Sequence, residues 1–198
     1  MEAFESFVAV ALEAEGLVVS GSVKFAVTRR TRKAQQVEVQ THGFEVDLVA
    51  ANAERLVLTT VKSFFGSRGV VAEHVTGASG DAKARLYALL NDEDVRRQVL
   101  GAACARYGYE PEQVEVRLYV GRFAAPTKGE NERRIRDWAS GMAIGCGPVK
   151  VIGSSEVVSK VRAVAAHKQY RDNPVLATIK VLEAAGELRD GLPGESDP

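Results

Sequence analysis

Two residues of this sequence have the types and spacing to do chemistry together. They are Asp47 and Lys62, both within the stretch GFEVDLVAANAERLVLTTVKSFFGSR that runs from Gly43 to Arg68. Residues 44–50, FEVDLVA, alternate as a strand, with Phe44, Val46 and Leu48 on one face and Glu45 and Asp47 on the other. After a short polar turn at residues 51–54, residues 55–63, RLVLTTVKS, read as the hairpin partner, with Leu56, Leu58, Thr60 and Lys62 on one face. Such a hairpin brings Asp47 close to the Thr60–Lys62 segment. A carboxylate beside a strand-end carbonyl can hold Mg²⁺, which takes oxygen ligands and keeps several waters. A neighbouring lysine can orient or deprotonate an attacking water, or offset charge developing on a phosphate. The same pair is also compatible with a plain surface ion pair across two strands, worth roughly 0.2–1 kcal/mol.

The elements that must position this pair follow from periodicity. Residues 3–15 predict an amphipathic helix stopped by Gly16, with Phe4, Phe7, Val8, Ala11 and Leu12 at helical spacing. Glu5 falls beside Leu12 at the edge of the apolar stripe and points toward a cleft, whereas Glu2 and Glu13 fall on the solvent side. Residues 17–27 are extended, Arg29-Arg30-Thr31-Arg32-Lys33 form a basic turn, residues 36–42 alternate again, and Gly43 marks a bulge or turn. Residues 65–80 are a glycine-rich loop. Helices follow at 81–90 and 92–107, a strand at Val114–Val120, a helix at 130–143 with Ile135 and Trp138 inward, a short strand at 149–152, and closing helices at 155–170 and 174–188. The order predicts an α/β fold, a mixed sheet with helices on its faces.

On the Asp47–Lys62 strand pair and this order of elements, roughly residues 1–120 resemble the PD-(D/E)XK, or restriction-endonuclease-like, nuclease superfamily. The expected division is a restriction-endonuclease-like core over residues 1–153, a helical appendage over 154–190 and a tail over 191–198, whose two prolines and two acids predict disorder. The resemblance implies catalytic roles for Glu5, Asp47 and Lys62, and Mg²⁺ or Mn²⁺ held by Glu5, Asp47 and the carbonyl of Val61. The family has an acid two residues before the lysine; Thr60 stands there, offering a neutral hydroxyl. Loss of that carboxylate weakens metal binding, because ligand charge helps set affinity, and Glu45 or Glu5 is placed to compensate. The implied substrate is DNA, its phosphates met by Arg29, Arg30, Arg32, Lys33, Ser63 and Arg68. The C-terminal helices 155–188 would then serve a homodimer or dock DNA. Two other classes stay open: a nucleic-acid-binding module of the same fold with a lapsed metal site, and an assembly subunit in which the sheet is structural.

Composition narrows the classes further. Lys plus Arg equals Asp plus Glu at 26 each, so a polyanion must be held through a local patch and not through net charge. Cys104 and Cys146 are far apart, form no CxxC pair and no zinc-spaced cluster with His42, His74 or His167, and read as buried thiols of a reducing compartment. No GxSxG elbow is present, Lys128-Gly129 lacks the Walker pattern, and Gly66-Ser-Arg-Gly69 is only an anion-nest candidate. Acids where a signal peptide needs bases, and no apolar run near the roughly 18 residues of a span, predict a cytoplasmic protein without a membrane partner.

Overall fold

Five of the apolar alternating segments pair into one mixed sheet. They are β1 (Val18–Lys33), β2 (Gln36–Ala51), β3 (Leu56–Lys62), β4 (Val114–Val120) and β7 (Lys150–Gly153), in the order β1-β2-β3-β4-β7. β1, β2 and β3 run antiparallel in sequence, and β4 and β7 then add in parallel. A two-residue pair, β5 (Ala143–Ile144) and β6 (Gly147–Pro148), stands apart. The computed structural model describes residues 2–33, 36–125, 129–167 and 172–188, without the side chains of residues 30–38. The tail expected from Gly191 lies outside the described residues.

Both faces of the sheet are covered. One core packs β-strand residues such as Leu56, Leu58 and Leu118 against α2 (Ala72–Thr76), α3 (Ala88–Asn91), α4 (Glu93–Tyr107) and α5 (Glu130–Ser140). The other packs Leu48, Val57, Val61 and Tyr119 against α1 (Ala3–Glu13), α6 (Ser154–Ala165) and α7 (Pro174–Ala184). Val157, Val161 and Ile179 of the helices expected as an appendage thus share one apolar cluster with Val8 and Leu12 of α1. Among the described residues no helix is long and apolar enough to cross a membrane.

The structure corrects several local expectations. The run Arg29–Lys33 is not a turn: it continues β1, which pairs with β2 along its length, from Val18↔Ala51 to Lys33↔Gln36. Gly43 neither bulges nor turns the chain and sits opposite Ala26 in mid-ladder. Because β3 pairs with β2 only over Leu48–Ala51, most of the β1–β2 hairpin forms a two-stranded arm. Such ribbons need outside support, and α4 supplies it. Gln98 Oε1 accepts from the Thr28 N–H at 2.8 Å, and Gln98 Nε2 donates to the Thr28 carbonyl at 3.1 Å, so one amide stands in for a further strand. The first expected mid-chain helix is largely a 3₁₀ turn, Ala82–Tyr87, ahead of α3. Cys146, in the β5–β6 turn, is exposed and not buried.

A network of charges is built into the α1 face. Arg117, on β4 with its side chain 5% exposed, donates to both carboxylate oxygens of Glu15 at 2.9 and 2.8 Å, and also contacts Glu115. Glu15 also accepts from Arg55, just before β3, at 2.9 Å and from Lys160 of α6 at 2.6 Å. Glu115 accepts from Lys150 of β7 at 2.9 Å. Burial alone would raise the Glu15 pKa, but the bonds from Arg117 and Lys160 outweigh it and bring the carboxyl from 4.5 down to about 2. The folded pKa is depressed, so the stabilisation is full above about 4.5 and lost as pH falls toward 2. Glu15→Gln is therefore expected to lower the melting temperature at neutral pH by roughly 5–10 °C, the scale of breaking a largely buried pair. It should also flatten the fall in stability between pH 4.5 and 2, read by thermal melts across that range; parallel pH profiles for both proteins would remove Glu15 from the network.

Candidate functional site

Asp47 and Lys62 meet where the β2–β3 ladder ends. The last pair is Leu48↔Thr59, so the next inward-facing donor of β3, the Val61 N–H, has no strand partner on that side. The Asp47 carboxylate takes it: one oxygen, Oδ2, accepts from Val61 N at 2.6 Å and from Lys62 Nζ at 3.1 Å. The Lys62 and Asp47 side chains are only 17% and 21% exposed. The pair is therefore shielded, unlike the exposed cross-strand pairs that contribute little. A residue's N–H and C=O point to the same side of a strand, so the Val61 carbonyl faces Asp47 too, while the Lys62 carbonyl accepts from Gly121 N on the opposite side at 2.8 Å.

A reversal of pleat puts Asp47 there. Phe44 and Val46 face the α4 core, but Leu48 and Ala50 face the α1 core, so the expected single apolar face of β2 switches at Asp47. β1 switches at the matching point, from Val19 on the α1 side to Val23, Phe25 and Val27 on the α4 side. The register passes from Gly21↔Leu48 to Val23↔Val46, and Ser22 between them takes φ 53°. Strict alternation would have put Val46 and Leu48 on one face. The left-handed residue at Ser22 absorbs the change.

The pair opens on a cleft of about 540 Å³ at the carboxyl end of β3, the place where open α/β sheets offer their loops to ligands. Glu5 lines it, in agreement with the helical wheel, and its Oε2 accepts from the Glu2 N–H at 3.0 Å. Glu2, exposed as the wheel expects, lines it as well and accepts from Ser63 Oγ at 3.0 Å. Glu2 precedes the helix as its N-cap with Glu5 at N3, and that pairing is the sequence signal that ties it to Glu5. The loop after β3 forms the floor. Gly121 packs so tightly under it that an added Cβ would meet Ser63 O at 2.4 Å, and Phe64 takes φ 46°.

Other expected site residues lie elsewhere. Thr60 is 6% exposed and does not line the cleft. Glu45 pairs with Lys24 at 3.8 Å and does not line it either, so it makes no replacement for the missing acid. Arg68 lines an adjoining cavity of about 460 Å³ with His74, Asp81 and Lys83, joined to the cleft through Phe64, Ser67 and Leu86. Arg29 pairs with Asp92 at 3.3 Å in a separate depression beside α4. The side chains of Arg30, Arg32 and Lys33 lie outside the described residues. Among the described residues no three His, Cys, Asp or Glu side chains group closely enough to hold a metal. What the site offers is Asp47 Oδ1, which takes no hydrogen bond among the described residues, the Val61 carbonyl and Glu5, which lines the same cleft, a set that suits only an ion that keeps most of its waters.

Asp47→Ala leaves both the Val61 N–H and the Lys62 ammonium without their acceptor. It is expected to cost about 2–3 kcal/mol in denaturant unfolding, and Asp47→Asn, which keeps an acceptor, about half as much. Equal stability of all three proteins would mean that the carboxylate does not hold the end of the ladder. The chain matches no family model, no curated protein and no solved structure, so the residues just described carry the functional reading.

Proposed function

We propose that this protein is a divalent-metal-dependent nuclease of the restriction-endonuclease-like fold, acting on DNA phosphodiester bonds. The observation that carries the reading is the shielded Asp47–Lys62 pair at the end of β3, facing a cleft shared with Glu2 and Glu5. The order of elements supports it: a helix, three antiparallel strands, helices, then a strand parallel to the third. Mg²⁺ or Mn²⁺ would be held by Asp47, the Val61 carbonyl and Glu5, and would supply Lewis-acid polarisation of the phosphate. Lys62 would orient the attacking water or meet the charge that develops on phosphate. Asp47 in turn keeps the Lys62 amine at the cleft wall, through the 3.1 Å bond. Ser63, Arg68 and the cations of the β1–β2 arm would contact the strand's phosphates. Two free thiols suit a cytoplasmic location.

A second reading has its own observation. Thr60 is buried away from the cleft and no three-acid group is present among the described residues, which favours a nucleic-acid-binding module whose metal site has lapsed.

Titration calorimetry with Mn²⁺ and plasmid cleavage separate the two. The nuclease reading expects Mn²⁺ binding and cleavage in the wild type, both abolished in Asp47→Ala. Thr60→Glu should lower the melting temperature with and without Mn²⁺, because position 60 is buried and does not line the cleft, so the new carboxylate is desolvated out of reach of the metal. DNA binding without Mn²⁺ binding or cleavage selects the second reading, and neither activity overturns both. The salt dependence tests the arm. Alanine at Arg29, Arg30, Arg32 and Lys33 should reduce the slope of log K against log salt by roughly 0.9 for each phosphate that is no longer neutralised; an unchanged slope places the arm outside the interface.

A further inference from the structure

The cleft has apolar walls for which phosphodiester hydrolysis has no use. Phe65 is 55% exposed and Leu86 is 51% exposed, and both line it. Phe65 also forms one wall of a second cavity of about 470 Å³, which Phe4, Phe7 and Val158 complete. The polar groups of that cavity are Ser154 and Ser155, in the first turn of α6. The Phe65 ring meets Phe4 edge-on, with centroids 5.4 Å apart at 86°, so a neighbour steadies the ring while more than half of the residue still meets solvent. The backbone holds it there against its own preference. Phe64 sits at positive φ, and the loop rests on Gly121, whose Cβ would come within 2.8 Å of the Phe65 ring. A strained loop that keeps an aromatic ring in water beside a cleft in which, on the nuclease reading, a divalent ion would offset Glu2, Glu5 and Asp47 and draw a phosphate, fits a ligand with a flat apolar face attached to an anion.

We infer that this ligand is an unpaired nucleotide, its phosphate at the Asp47–Lys62 cleft and its base in the cavity of Phe4, Phe7 and Phe65. The inference rests on the nuclease reading and narrows its substrate. A nucleotide joins a phosphodiester to a π face, and stacking on phenylalanine accepts any base, since every base has such a face. The Ser154 and Ser155 hydroxyls can each donate to or accept from a base edge. A base inside a duplex has both faces covered by its neighbours and cannot enter. The favoured substrates are therefore single strands, overhangs, or nucleotides extruded from a duplex at low unstacking cost. Leu86, half-exposed on the same cleft, can cover the face of the next base pair that such an extrusion exposes.

The test uses the full chain, Ca²⁺ in place of Mg²⁺ so that strands stay intact, and fluorescence anisotropy on three DNAs of equal length. These are oligo-dT, a strand of abasic residues with the same phosphates, and a blunt duplex. The expected result is that oligo-dT binds roughly tenfold or more tightly than the abasic strand, the size of one base–aromatic stack. Phe65→Ala should bring that ratio to parity, and Phe65→Trp should keep it. Val158→Trp, which fills the cavity while Phe65 remains, should also bring it to parity. Thermal melts of each variant check that the fold is intact, as the exposure of Phe65 leads one to expect. Equal binding of oligo-dT and the abasic strand by the wild type, or a ratio insensitive to Phe65→Ala and Val158→Trp, overturns the nucleotide site while leaving the nuclease reading standing, because DNA is still bound. Binding of none of the three DNAs overturns both.

Discussion

A backbone donor left over at the end of a strand ladder must be met by something, and at Val61 it is met by Asp47. That one hydrogen bond lets two incompatible demands coexist. β3 must continue in the sheet beside β4, with which it pairs as far as Lys62↔Val120. β2 must depart with β1 into the arm, because its pairing with β3 stops at Leu48↔Thr59. Between diverging strands a gap opens in which N–H and C=O groups would be unsatisfied, at a cost of the order of 1–3 kcal/mol each. Asp47 closes the gap on the donor side and leaves the Val61 carbonyl facing into it. The cleft is the consequence of the divergence, and the groups that line it are the groups that stabilise the divergence. A substitution there disturbs sheet and site together.

The other end of the same strands is fixed by charge. Glu15 gathers Arg55 before β3, Arg117 on β4 and Lys160 on α6 into one carboxylate. It follows α1 directly, so α1 is pinned at its C-terminus there and at its N-terminus by the Ser63 bond to Glu2. An isolated helix of this length is marginal in water; two polar anchors and the apolar face of Val8 and Leu12 set its position on the sheet. The position of Glu5 at the cleft therefore depends on a network at the far end of the helix. Replacing such pairs with apolar residues often costs nothing in stability, so the network is better understood as fixing the helix's register on the strands than as a source of net free energy.

What the sequence reveals here follows how local the determinants are. The strands at Leu56–Lys62 and Val114–Val120 and the helix from Glu93 were legible because their patterns are regular and their caps are marked, Asp92 accepting from the N–H groups of Asp94 and Val95. The meeting of Asp47 and Lys62 was legible because a short hairpin fixes it. The pleat reversal at Ser22 and Asp47 was not, since no glycine stands at position 22 and the alternation of FEVDLVA reads as unbroken. The run Arg29–Lys33 looked like a turn because its charges cluster, yet its backbone stays paired with β2 as far as Lys33↔Gln36. The Glu115–Arg117–Tyr119 face of β4 was hidden for a similar reason. Its charges are buried because Glu15, just after α1, pairs with Arg117 and Lys150 of β7 pairs with Glu115, and a single strand's sequence holds no record of partners so distant.

Charge within the trough changes sign along its length, and this bears on how an anionic strand would lie in it. At the β3 end, Glu2, Glu5 and Asp47 face Lys62, so acids outnumber bases. A phosphate brought there without a cation meets net repulsion; a divalent ion between them inverts that balance, since it would be the largest local charge in the site. Across the Phe64–Ser67 loop the adjoining cavity carries Arg68 and Lys83 against Asp81, with His74 beside it. With equal numbers of acidic and basic residues over the whole chain, these local differences decide the direction of approach. On the nuclease reading, neighbouring phosphates would anchor on the basic side, and a metal ion would draw the reacting one over the acidic side. The apolar ring of Phe65 stands at that end of the trough, where the strand would have to leave its stacked form.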